Sequence, residues 1–221
     1  MEEMPNVVAV GGKAPEIDPT AYLDPSARVI GNVIVEPGAA IYPGCILRAE
    51  DAAVFVRRNA VVLDMCFIEA PKGSEVTIGE ASLISHNVTI HGAQVGPSTL
   101  VGIGSILLDR AVVGRECIVS AGSLVPPKKQ IDDRSLVVGA PAKFKRRLEE
   151  ADIARIRSSH AEAWEKARVY GQMYGAAPME GMTGGIGDIK VDGDVFSEAP
   201  DRLKRKMGRQ FQGTDFDTEG P

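Results

Sequence analysis

Residues 17–47 read IDPTAYLDPSARVIGNVIVEPGAAIYPGCIL, and a large aliphatic side chain recurs there at every sixth position. A small residue follows each of the first five aliphatic residues after four positions. The aliphatic positions are Ile17, Leu23, Val29, Val35, Ile41 and Leu47, and the small ones are Ala21, Ala27, Val33, Ala39 and Cys45. A period of six fits neither an α-helix nor simple strand alternation, so it predicts a short strand followed by a corner, repeated many times.

The same spacing continues over most of the chain, so we predict an all-β solenoid of parallel strands over residues 17–127 after a lead-in at residues 1–16. Residues 51–53 and 71–76 interrupt the repeat and are predicted to be extruded loops. Glycine, proline and asparagine after the aliphatic residue are expected to provide the turns. The repeat resumes at Val56, Val62, Ile68, Ile78, Ile84 and Ile90, and after one five-residue step at Val95, Val101, Leu107, Val113, Val119 and Val125. The expected turn residues include Pro37-Gly38, Pro43-Gly44, Gly79, Gly96, Gly102 and Gly114.

The pattern changes after Pro126-Pro127, which we expect to end the last coil. Residues 128–147 are predicted to form a connecting segment. Residues 148–171 carry apolar side chains at helical spacing and predict an α-helix packed back along the solenoid. His160 lies on this helix and is interpreted as a packing residue. Residues 172–221 are rich in glycine without a sustained period, which predicts a partly disordered tail.

Composition limits the classes of partner. The net charge of −5 gives no indication of nucleic-acid binding, and no apolar run approaches the roughly 20 residues needed to span a membrane. The three cysteines, Cys45, Cys66 and Cys117, all fall in the small inward position of the repeat. We therefore expect buried, unpaired thiols, which favours a reducing cytoplasm.

The repeat resembles the hexapeptide-repeat family, in which three hexapeptides form one coil of a left-handed parallel β-helix. Within it, the γ-class carbonic anhydrases and their relatives are much the most similar, over roughly residues 17–171. The motifs that support this are Ile46-Leu-Arg48, Ser85-His-Asn-Val-Thr-Ile-His-Gly92, Val101-Gly-Ile-Gly104, Ala121-Gly-Ser-Leu-Val-Pro126 and Val138-Gly-Ala-Pro-Ala-Lys143.

The resemblance implies a homotrimer in which three histidines bind zinc or another divalent ion between subunits. His86 and His91 match two of these histidines, whereas Glu69 stands at the third position. A polar pair beside the family's metal is replaced by Val61 and Leu63. The remaining site positions implied by the family are Arg48, Asp64 and, inexactly, Glu50.

The repeat also predicts which side chains stack. Residues three hexapeptides apart lie about 4.8 Å apart in a parallel ladder, so Arg48, Glu69 and His91 should form one outward column. His86 should stack over Asp64 on another face, so a metal bound by both histidines needs two chains. Zn²⁺, Fe²⁺ or Co²⁺ would suit two imidazoles and a carboxylate, with Asp64 fixing the His86 tautomer.

Two interpretations of Glu69 remain open, because this carboxylate could coordinate the metal or simply pair with Arg48. Three functions are also open. The first is a lyase that hydrates CO₂ or a related small electrophile. The second is acyl transfer or thioester hydrolysis on a coenzyme A ester. The third is a trimeric scaffold or assembly subunit whose site has degenerated.

Overall fold

The computed structural model describes residues 6–174, which form a left-handed parallel β-helix of about seven turns followed by one α-helix. The predicted fold class is thereby confirmed. Each turn places one short strand on each of three faces, and strands of successive turns pair in parallel. No helix in this part of the chain is both long and apolar enough to cross a membrane.

The first face carries the candidate site and the other two support it. Its strands are β1 (Val7–Val8), the first half of β4 (Arg28–Val35), the first half of β6 (Ile46–Val56), β8 (Phe67–Glu69), β11 (Thr89–His91), β14 (Ile106–Leu107) and β17 (Leu124–Val125). The second face comprises β2 (Glu16–Ile17), the second halves of β4 and β6, β9 (Val76–Ile78), β12 (Gln94–Val95), β15 (Val112–Val113) and β18 (Gln130–Ile131).

The third face is a separate eight-stranded sheet. It comprises β3 (Tyr22–Leu23), β5 (Ala40–Ile41), β7 (Val61–Val62), β10 (Leu83–Ile84), β13 (Leu100–Val101), β16 (Ile118–Val119), β19 (Ser135–Val138) and β20 (Lys143–Arg147). The last of these, β20, is antiparallel to β19.

The interior is filled by stacks of the aliphatic residues that define the repeat. Leu47, Ile68 and Ile90 pair in register on the first face and are fully buried. The cysteines occupy the small inward positions and are buried and unpaired, as predicted. The neighbouring Cys45 thiol and burial raise the pKa of Cys66, and burial raises that of Cys117.

One predicted loop is wrong. Residues 51–53 belong to strand β6, which runs unbroken from the first face to the second. The extra residues are absorbed by a register shift opposite Gly31 and Val33 of β4. Ala53 and Val54 are buried at this bend, so packing favours a continuous strand over an extruded loop. Residues 71–75 lie outside the strands, between β8 and β9.

The β-helix also extends past residue 127. Ile131 and Val137 continue the six-residue spacing from Val125, and both are buried in the core. The prolines at 126 and 127 lie outside the strands, at a corner, where a missing N–H breaks no ladder hydrogen bond. The segment 128–147 therefore completes the last coil and adds strand β20.

Four glycines have a role other than the turn geometry expected of them. The backbone at Gly79, Gly96, Gly102 and Gly114 does not adopt a positive φ. Instead, a Cβ atom built on Gly96 would lie 2.6 Å from the backbone of Gly114 in the next coil. These glycines allow coils to approach closely, whereas Gly38 and Gly44 do adopt the expected left-handed turn conformation.

Helix α1 spans Glu150–Met173, two residues later at each end than predicted. It begins there because the Asp152 carboxylate accepts hydrogen bonds from the Glu149 backbone N–H and from Arg146. Arg146 and the Glu149 N–H lower the pKa of Asp152. The predicted tail beyond Tyr174 lies outside the described residues.

The helix packs on the third face, as expected. The Trp164 Nε1–H donates to the Gly38 carbonyl over 2.7 Å. His160 is buried, its Nε2 lies 2.6 Å from the Asn59 carbonyl oxygen, and burial lowers its pKa. This contact agrees with a packing role.

Candidate metal centre

The column Arg48, Glu69, His91 forms on the first face as the repeat predicts. Arg48 is in register with Glu69 between β6 and β8, and Glu69 is in register with His91 between β8 and β11. All three side chains point outward, since the residues that precede them are buried in the coil interior. The site is thus built on paired strands.

The two oxygens of the Glu69 carboxylate face different partners. Oε1 accepts a hydrogen bond from Arg48 Nη2 over 2.5 Å, while Oε2 lies 3.9 Å from Nε2 of His91. Hydrogen bonding and attraction to Glu69 raise the pKa of Arg48, and the charge of Glu50 adds to this. The ion pair therefore leaves one oxygen beside His91, so pairing and coordination do not compete for the same atom.

This geometry fits part of a divalent metal site. Two donor atoms that each lie about 2.1 Å from a tetrahedral ion are about 3.4 Å apart. The 3.9 Å gap between His91 Nε2 and Glu69 Oε2 is about half an ångström longer, a difference that a small side-chain rotation removes. Within residues 6–174 of one chain, however, no group of three histidine, cysteine or carboxylate side chains is placed to hold a metal.

Both histidines are oriented by an aspartate. Nδ1 of His86 lies 2.8 Å from Asp64 Oδ2, the stacking partner predicted for it. Nδ1 of His91 lies 3.0 Å from Asp109 Oδ2. A carboxylate that accepts the Nδ1 proton leaves Nε2 of the neutral ring free to bind a metal. Asp109 was not among the residues expected at this site.

His86 and His91 face different partners on one chain. His86 occupies the corner before strand β11, and His91 is its last residue. The His86 ring contacts Asp64 of the preceding coil, whereas the His91 ring contacts Asp109 of the following coil, and the left-handed turn at Asn87 separates the two residues. That a shared metal would need His86 from a second copy stays a prediction.

Three other positions named in the sequence analysis, Glu50, Val61 and Leu63, lie outside the column of Arg48, Glu69 and His91. Glu50 lies further along β6, is exposed, and makes no hydrogen bond to Arg48 among the described residues. Val61 is fully buried against the C-terminal helix, and Leu63 belongs to the same apolar cluster. These two positions contribute packing where the family's polar pair would be.

A cleft of about 350 Å³ opens between helix α1 and the third face beside His86. Leu63 and Leu83 form part of its apolar wall, and Asp64 and His86 form part of its polar wall. The helix contributes Lys166, whose ammonium pairs with Glu162. Leu63 cannot donate or accept a hydrogen bond in this cleft.

The fold and the arrangement of the site define a hexapeptide-repeat protein of the left-handed β-helix class. Two solved structures agree. A hexapeptide transferase family protein from Anaplasma phagocytophilum is 30% identical with a TM-score of 0.71, and the match covers 74% of this chain and 97% of that one. A Bacillus cereus protein named as an acetyltransferase is 25% identical with a TM-score of 0.74, covering 76% and 97%.

Sequence relatives define the family. The carnitine operon protein CaiE of Escherichia coli is 34% identical over 145 residues, which are 66% of this chain and 74% of CaiE. The mitochondrial γ carbonic anhydrase 1 of Arabidopsis thaliana is 35% identical over 153 residues, covering 66% of this chain and 56% of that protein. No family model matches the chain. The chain belongs to the γ-carbonic anhydrase-like family of hexapeptide-repeat proteins.

Proposed function

We propose that the protein is a homotrimer that binds a divalent metal ion between neighbouring subunits and slowly hydrates CO₂ or a related small electrophile. His91 and Glu69 of one subunit would hold the ion together with His86 of the next. The observation that carries this proposal is the 3.9 Å approach of His91 Nε2 to the Glu69 oxygen that Arg48 leaves free.

Exposed apolar side chains support an interface at this face. Met65 is 65% exposed and Ile103 is 55% exposed, and both lie at the corner that also carries His86. On the first face, Ile46 and Ile106 add partly exposed side chains in a second column, which also contains Phe67 and Thr89. A neighbouring subunit that covers this surface would bring its own His86 beside the end of strand β11.

The donor set suits Zn²⁺, Fe²⁺ or Co²⁺, because two imidazoles and one carboxylate leave coordination positions open. When bound, such an ion supplies a Lewis acid that lowers the pKa of water toward neutrality. Around it, Asp64 would hold the His86 ring in one tautomer. Arg48 would hold the other half of the Glu69 carboxylate.

Two features make slow turnover the expected behaviour. Leu63 cannot hydrogen-bond a water molecule or a hydroxide ion, so nothing at that position orients the nucleophile. The negative charge of Glu69 would also make the metal a weaker acid than three neutral imidazoles do. We therefore expect the site to bind a metal but to hydrate CO₂ slowly.

The test is elemental analysis of untagged protein, coupled to a CO₂ hydration assay on the same sample. We expect close to one divalent ion per subunit and a hydration rate above the uncatalysed one but low for the family. Protein that is purified and reloaded with Zn²⁺, Fe²⁺ or Co²⁺, and that retains none of them, would refute the proposal.

A second candidate is acyl transfer or thioester hydrolysis on a coenzyme A ester, with a histidine as general base between subunits. The solved relatives named as a transferase and an acetyltransferase support it. A thermal shift with coenzyme A that bicarbonate does not produce would favour this candidate. A third candidate is a trimeric scaffold subunit, which the apolar Val61 and Leu63 favour if neither coenzyme A nor metal binds. A stoichiometric partner protein whose binding depends on residues 171–221 would support this candidate.

We also propose a reducing compartment such as the cytoplasm, because three buried cysteines remain free thiols.

A further inference from the structure

Two of the three histidines share an arrangement that the third lacks. In His86 and His91 the Nδ1 atom faces an aspartate from an adjacent coil, Asp64 from the coil before and Asp109 from the coil after. An ionised carboxylate only accepts, so each neutral ring must carry its proton on Nδ1. In His160 it is Nε2 that faces a backbone carbonyl, so this ring must carry its proton on Nε2.

The Asp109 side chain has no other hydrogen-bond partner in the described part of the chain. Its backbone is fixed independently, because the Asp109 carbonyl accepts a hydrogen bond from the Lys128 N–H over 2.8 Å. The carboxylate is 44% exposed, so it is not needed to fill the interior. Among the described residues, the contact with His91 therefore distinguishes this carboxylate from an ordinary surface charge.

We propose that Asp109 is a positioning residue, which holds the His91 ring with its proton on Nδ1 and its Nε2 lone pair toward Glu69. The inference rests on the proposed function, because the ligand atom that Asp109 prepares is one of the metal's donors. Asp109 and Asp64 would then act as a pair, each orienting one of the two histidines that meet between subunits. The Nδ1–H hydrogen bond to a carboxylate also makes Nε2 a better donor to a metal.

The chain's three histidines allow a direct test without any metal. Full-length metal-free protein with ¹⁵N-labelled histidine would be examined by long-range ¹H–¹⁵N NMR at about pH 8.5, which is well above the ordinary imidazole pKa of about 6.5. We expect two rings protonated on Nδ1 and one, His160, protonated on Nε2. In Asp109→Ala the His91 ring should lose its fixed tautomer, while His86 and His160 should not change.

The second readout is the Zn²⁺ dissociation constant of the same proteins, measured by competition with a chelator. Asp109→Ala should weaken zinc binding about 10- to 100-fold, which is typical for loss of a carboxylate that orients a metal-bound histidine. Asp109→Glu, which restores a carboxylate, should recover part of the affinity. The matched control is Asp132→Ala, which removes an equal charge at a site that is 81% exposed and contacts Arg147.

The two readouts separate the possible failures. An Asp109→Ala protein with an unchanged His91 tautomer overturns the inference, whether or not metal binds. An altered tautomer with unchanged zinc affinity also overturns it, because the contact would then not serve the metal. Parent protein that shows the expected tautomers but binds no metal would refute the proposed function. The role of Asp109 in preparing a metal ligand would then be refuted as well.

Discussion

Replacing Glu69 with glutamine separates coordination from ion pairing at the candidate centre. The substitution keeps the shape of the side chain and its Oε1 acceptor for Arg48 but removes the negative charge. If Oε2 binds the metal, Glu69→Gln should weaken metal binding strongly, because the amide NH₂ that would replace Oε2 has no lone pair to donate, and turning the amide over would give up the acceptor for Arg48. If Glu69 only pairs with Arg48, metal content should not change.

The size of the effect follows from Coulomb's law. With half a charge on each oxygen, and the two oxygens about 2.1 and 3.5 Å from a divalent ion, attraction at the dielectric constant of water is about 3 kcal/mol. This corresponds to a dissociation constant higher by a factor on the order of 100. Stability should change by only about 0–1 kcal/mol, because the Arg48–Glu69 pair is partly exposed, at 39% and 23%.

The assay is chelator competition for Zn²⁺ with urea unfolding of the metal-free protein in parallel. Glu36→Gln is a well-matched control, because Glu36 pairs with Arg57 over 2.6 Å and the two side chains are 29% and 40% exposed. We expect normal zinc affinity in that control. Equal zinc affinity in Glu69→Gln and the parent would refute coordination by Glu69.

The complementary change, Glu69→His, would restore a three-histidine donor set. We expect zinc binding at least as tight as that of the parent but only weak hydration activity, since Leu63 still offers no hydrogen bond. Strong hydration by the parent protein would show that these substitutions matter less than we infer.

Three further predictions concern the scaffold. Cys45→Leu should overpack the coil and lower the free energy of unfolding by about 1–3 kcal/mol, and native thiols should react slowly with a thiol reagent; rapid labelling would contradict their burial. Gly96→Ala should cost a similar amount, about 1–3 kcal/mol in urea unfolding, because its Cβ would lie 2.6 Å from the Gly114 backbone. Asp152→Asn should cost about 1–3 kcal/mol at pH 7, because the amide keeps one acceptor oxygen where the carboxylate offers Arg146 two, and the charge that strengthens these hydrogen bonds is lost. Since the pKa of Asp152 is lowered in the folded state, this difference should be full above about pH 4 and disappear as the pH falls further; a difference that grows in acid would contradict the assignment.

Much of the fold could be predicted because one physical rule repeats along the chain. A large inward aliphatic residue every six positions places Leu47, Ile68 and Ile90 in one stack. The residue after each of them therefore falls in one outward column. The same arithmetic places His86 over Asp64. The prediction that Pro126-Pro127 ends the β-helix is wrong, because Ile131 and Val137 continue the spacing.

The parts that could not be predicted depend on side-chain direction. Asp109 follows the aliphatic stack by two positions, whereas His91 follows it by one, so they are not in register. Their contact exists because the His91 ring reaches diagonally toward the next coil. The two oxygens of Glu69 also have different partners, Arg48 for one and His91 for the other. This assignment depends on the side-chain torsion angles, which the spacing of the repeat does not determine.

The central claim, that one metal is shared between two subunits, can be tested with mixed trimers. His86→Ala and His91→Ala proteins would be prepared separately, unfolded together, refolded, and analysed for trimer mass and Zn²⁺ content. Each variant alone should bind almost no zinc. A mixed trimer should contain about one intact site, where His91 from one variant meets His86 from the other, so zinc should reappear only after mixing. Mixed trimers that remain free of zinc, or a parent protein that is monomeric at micromolar concentration, would contradict the account.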